Sequence, residues 1–103
     1  MAWQKARTPK TGGMDLESAG ALALQGLTFL ASDAQRLERF LSLTGIGPGE
    51  LRSSVGTTHF QAAVLEHLLS DESLLLVFAA ETGVSANLIA PAHALLAGDR
   101  LGT

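Results

Sequence analysis

Shifted by 38 positions, the sequence lies over itself. Leu27, Leu30, Ser32, Asp33, Leu37, Phe40, Thr44 and Gly45 fall on Leu65, Leu68, Ser70, Asp71, Leu75, Phe78, Thr82 and Gly83, Ile46 falls on Val84, and Leu51 falls on Ile89. The shared residues are those that start, stop and face helices: a Ser-Asp pair suited to N-capping, apolar residues at helical spacing, then a Thr-Gly stop. This recurrence leaves little room for any class but all-α. It predicts two similar helical units packed into one core, because two copies are too few for a solenoid.

Each helix is bounded by its own signals. The first runs from about Leu16 to Leu30, capped by Asp15, with Leu16, Ala19, Ala23, Leu27 and Leu30 on one face. Gly20 and Gly26 weaken it by about 1 kcal/mol each relative to Ala, and close approach of a neighbouring helix would return that cost. Ser32 with Gln35 and Thr58 with Gln61 read as capping boxes. Between them, Leu37, Phe40 and Leu41 point inward, Arg36, Glu38 and Arg39 outward, and Pro48 opens a short helix to about Ser54. The helix from Thr58 carries Phe60, Val64 and Leu68 on its main face, widened by Ala63, Leu65 and Leu69. The next, from Ser70 to about Thr82, contains Leu74, Leu75, Leu76, Val77 and Phe78 in succession and is apolar all round. That pattern predicts a central helix, or one half covered by another chain. A last segment, about Ala86–Ala97, contains Pro91, which must kink it or start it afresh, and closes at Gly98. The expected architecture is a compact bundle of four long helices and two short ones, with the Ser70–Thr82 helix at the centre.

Residues 1–13 stand apart as a disordered basic tail, and residues 14–103 form a single helical domain. The tail holds Lys5, Arg7 and Lys10 and no acid; the remainder sets four basic residues against ten acidic ones. An acidic body argues against a nucleic-acid surface. The helix after Ser32 offers Gln35, Arg36 and Arg39, offset by Glu38, which is a poor recognition helix. The chain contains no cysteine, so disulfides, thiolate metal sites and thiol nucleophiles are absent, in keeping with a cytoplasmic protein. The apolar run Leu74–Ala80 is far below the ~20 residues that span a bilayer.

Nothing in the chain composes a catalytic motif. His59 and His67 lie about 12 Å apart along one helix, too far to share a metal directly. His67 suits the negative end of its helix, and Asp71 and Glu72 suit the positive end of theirs. No metal-ligand, phosphate-loop or dinucleotide spacing occurs, so neither metal nor cofactor is expected and an enzyme is the least favoured reading. A protein-interaction or regulatory adaptor module is favoured, binding an unidentified protein or a second copy of the chain. Leu74 and Val77, which align with Arg36 and Arg39, are candidate contacts, and so is Trp3, a residue type common at binding hot spots. The alternative is a small apolar-ligand site lined by Phe40, Phe60 and Phe78.

The run Leu37–Arg52, the segment Phe60 to Leu69, the Asp71-Glu72 pair and the run Leu74–Phe78 together resemble the small bacterial proteins of domain-of-unknown-function family 3572. The resemblance covers roughly Leu16 to Leu96. It implies a short, cytosolic, helical protein and carries no assigned catalytic residues.

Overall fold

The computed structural model describes residues 14–102, with side chains to Gly98. The elements are α1 (Leu16–Ala31), α2 (Ala34–Thr44), α3 (Pro48–Ser54), α4 (Thr58–Leu69), α5 (Glu72–Thr82), a 3-10 turn (Ala86–Leu88) and α6 (Ile89–Gly102). All are helical, as the periodicity requires.

The helix boundaries are set by side-chain caps. Asp15, Asp33, Thr57 and Asp71 are extended and accept hydrogen bonds from amides two or three residues on. The expected caps Ser32, Ser70 and Thr58 are each displaced by one residue. Ser32 and Ser70 instead end the preceding helices, and their hydroxyls donate to the carbonyls of Phe29 (2.7 Å) and His67 (2.8 Å). Once the serines take that role, the aspartates are the next residues able to cap, and a carboxylate is the stronger acceptor. At the other ends, Gly45 and Gly83 adopt φ of 77° and 79°, a conformation that costs a residue with a Cβ roughly 1–2 kcal/mol. Thr44 and Thr82 donate back to the carbonyls of Phe40 and Phe78 at 2.8 and 2.7 Å. Ile46 and Val84 then donate their amides to those same threonine hydroxyls. Local geometry thus recurs at the offset of 38 residues seen in the sequence.

The centre of the molecule is not where the apolar run puts it. Helices α1, α4 and α6 pack on one another. Helix α2 lies across α1 and α4, and α5 across α4 and α1. Helix α4 buries Phe60, Ala62, Val64, Leu65 and Leu68, whereas α5 buries Phe78 alone. Leu76 is 55% exposed and Val77 37%, while Leu74 and Leu75 are half-buried against the core. Five successive residues point round the whole helix, and neighbours cover only one side of α5. What selects the centre is small residues. On α1, Ala19, Ala23 and Gly26 are buried, and a Cβ added to Gly26 would stand 3.0 Å from Val64 Cγ1 and 3.2 Å from Leu68 Cδ1. Gly20 meets Gln61 similarly, at 3.1 Å. The two glycines expected to admit a neighbouring helix do admit α4.

The C-terminal segment differs from expectation only in part. The expected segment is divided: the 3-10 turn Ala86–Leu88 comes first, and α6 starts afresh at Ile89 with Pro91 in its first turn, where a proline is tolerated. Gly98 does not close the helix, which continues to Gly102. The segment expected to be short is therefore a long core helix, burying Ile89, Ala92 and Leu96.

Candidate partner-docking clefts

Two surface clefts occupy corresponding positions. The first, about 370 Å³, lies between the C-terminal half of α1 and the end of α5; it is lined by Leu24, Gln25, Thr28, Phe29, Ser32, Glu81 and Thr82. The second, about 260 Å³, lies between α4 and the end of α2; its lining is Leu43, Thr44, Ala63, Glu66, His67 and Ser70. Under the 38-residue offset, Gln25 corresponds to Ala63, Thr28 to Glu66, Phe29 to His67, Ser32 to Ser70, Leu43 to Glu81 and Thr44 to Thr82. The floors are built alike. Phe29 meets Phe78 edge-to-face at 5.4 Å, and His67 meets Phe40 edge-to-face at 5.2 Å.

The two clefts differ in chemistry. In the first, Phe29 forms an apolar floor and Leu24 stands 43% exposed at the edge. The Arg36 guanidinium lies 4.5 Å from the Phe29 ring centroid, a cation–π contact. Arg36 therefore does not point away from the protein with Glu38 and Arg39; it folds over α1. Glu81 is the acid of this cleft.

In the second cleft, burial lowers the pKa of His67, Arg39 lowers it further, and Asp71 opposes both. His67 does lie in the last turn of its helix, but its neutral ring is favoured by packing on Phe40, so the helix-end charge is not its main role. Glu66 extends from the same turn and approaches His93 Nε2 on α6 at 3.9 Å. Because the folded protein disfavours the charged ring, His67 contributes stability that is complete above the ordinary histidine pKa of about 6.5 and declines as pH falls below it. Urea midpoints measured at about pH 7.5 and about pH 5.5 should show this decline, and His67→Gln should make it shallower. An unchanged pH slope in the variant would refute the assignment.

The sequence candidates are dispersed. Val77 lies on the exposed side of α5, one turn before Glu81, and Leu74 is turned toward the core. Trp3 and the rest of the tail lie outside the described residues. Phe40, Phe60 and Phe78 do not line a common pocket: Phe40 packs edge-to-face on Phe60 at 5.8 Å, Phe78 packs on Phe29, and all three are core residues. Phe29 and Leu24 were not singled out by sequence, although the 38-residue offset pairs Phe29 with His67 and Ser32 with Ser70. Among the described residues there is no group of three or more potential metal ligands, no buried polar or charged residue, and no single helix long and apolar enough to cross a membrane.

No curated protein and no solved structure matches the chain. The model of the family described as "Protein of unknown function (DUF3572)" matches residues 16–99, from the first residue of α1 into α6. The chain belongs to that family.

Proposed function

We propose that the chain is a cytoplasmic protein-docking module without catalytic activity, and that its docking surface is the α1–α5 cleft continued along α5 by Val77. The observation that carries this reading is Leu24, 43% exposed beside the apolar floor of Phe29. An apolar side chain held at the lip of an apolar cleft, with Gln25, Thr28, Ser32 and Glu81 around it, has the make-up of a small protein-protein hot spot with a polar rim. Val77 adds apolar surface on the adjoining turn. The acidic body disfavours nucleic acid as the partner.

The test is affinity capture by the full chain from its native cells, with Leu24→Glu and Val77→Arg beside the wild type. Both positions are exposed, so both variants should keep the wild-type circular dichroism. A protein retained by the wild type and lost from both variants is the expected result. Equal recovery of every co-purifying protein by all three would overturn the reading. A second copy of the chain as the retained partner would identify the docking as self-association.

A further inference from the structure

The proposed docking cleft lies at the end of an exposed track that begins beside the N-terminal segment. Glu17, Ala21, Leu24 and Thr28 follow one another at spacings of four, three and four, which aligns them on one face of α1, and all four are exposed. The track rises about 18 Å from the start of α1 to Thr28. The ten residue-to-residue steps from Trp3 to Gly13 span up to ~33–36 Å when extended. The segment can therefore reverse direction at Gly12-Gly13, run back along α1 and reach the cleft with length to spare.

Charge and side-chain chemistry favour that course. Residues 1–13 contain three cations and no acid, against an excess of acids in the remainder of the chain. Glu17 stands at the near end of the track, where Lys10 and Arg7 would pass, and Glu81 stands at the cleft. The segment's one large apolar residue is Trp3, the only tryptophan in the chain. Of the two corresponding clefts, the first offers an indole Leu24 and the Phe29 ring; the second offers His67 and Glu66 instead.

We propose that residues 1–13 bind the α1–α5 cleft of their own chain, seating Trp3 against Leu24 and Phe29 and covering the surface until a partner displaces them. This rests on the cleft being the docking site, and it names the chain's own N-terminal segment as the resident occupant.

Because the chain has one Trp and no Tyr, tryptophan emission reports on Trp3 alone. The comparison is between the full chain and a synthetic peptide of residues 1–13. The full chain should emit to the blue of the peptide, with a several-fold lower iodide quenching constant, and both should hold on dilution. Leu24→Glu should return both readings to the peptide's values at unchanged helicity. The milder Glu81→Lys should move them part of the way, giving a second exposed position if the first variant folds poorly. Leu43→Glu, at the site corresponding to Glu81 in the second cleft, should leave them unchanged. Emission identical to the peptide's would overturn the proposal, as would an equal response to Leu24→Glu and Leu43→Glu. A blue shift lost on dilution would also overturn it, in favour of exchange between copies. Should Trp3 prove fully exposed while Leu24→Glu still abolishes partner recovery, the docking site stands and only its occupation by the N-terminal segment fails.

Discussion

Phe78→Ala should lower the stability of the domain by about 3–5 kcal/mol, while Leu76→Ala, two residues earlier, should change it by no more than about 0.5 kcal/mol. Both residues belong to the apolar run of α5, and only their surroundings differ. Phe78 is fully buried and meets Phe29 edge-to-face; Leu76 is 55% exposed. Removing the Phe78 ring loses its transfer free energy, leaves a cavity and withdraws support from the floor of the α1–α5 cleft. A domain of this size is commonly stable by ~5–15 kcal/mol, so the variant should be near the edge of folding. Urea midpoints at constant m-value measure both changes. Equal losses from the two variants would mean that α5 is enclosed on all sides, as a central helix would be, and would refute its flanking position.

The contrast between those two residues marks what could and could not be read from sequence. Helix starts and stops are local chemistry. Thr44-Gly45 and Thr82-Gly83 end α2 and α5 in the same way because a hydroxyl and a left-handed glycine satisfy the same exposed carbonyl and amide groups. The caps are legible to within one residue because Ser and Asp are adjacent and both are competent. Which helix occupies the centre is a property of the assembled chain. The run Leu74–Phe78 advertises apolarity but says nothing about what covers it. The centre falls instead to helices that approach closely: α1 with Ala19, Ala23 and Gly26, and α4 with the side chains that fill the space they leave. Ile89, Ala92 and Leu96 give α6 its share of that core at spacings of three and four, a pattern that Pro91 obscured.

The clefts were half legible. The offset of 38 residues already pairs Phe29 with His67 and Thr82 with Thr44, so it contains the correspondence between the two sites. It does not show that the end of α5 lies beside α1 and the end of α2 beside α4, and each cleft needs that crossing. Arg36 shows the same limit. Its neighbours and its charge assign it to the exposed side of α2, yet a long side chain reaches over a ring on another helix. Leu74, which aligns with Arg36, is likewise turned toward the core.

Gly26→Leu should destabilise the domain by about 1–3 kcal/mol, even though leucine is the better helix former by several tenths of a kcal/mol. At this position the side chain of a neighbour fills the space a Cβ needs. The Cβ alone would stand 3.0 Å from Val64 Cγ1 and 3.2 Å from Leu68 Cδ1, before any of the isobutyl group is placed. Val64 and Leu68 are both fully buried, and β-branched Val64 has little freedom to rotate away. The two helices must therefore separate or the core must shift, and close packing makes either costly. Gly98→Ala is the matching control. Gly98 also lies within a helix, but nothing stands within 4 Å of an added Cβ, so this variant should gain about 0.5–1 kcal/mol from propensity. Val64→Ala, which removes the obstructing methyls, should be costly alone yet should relieve part of the Gly26→Leu penalty when the two are combined. The coupling in a double-mutant cycle should fall within ~0.5–3 kcal/mol and favour the pair. Strict additivity between positions 26 and 64, or a stabilising Gly26→Leu, would show that α1 and α4 do not approach closely enough to exclude a side chain.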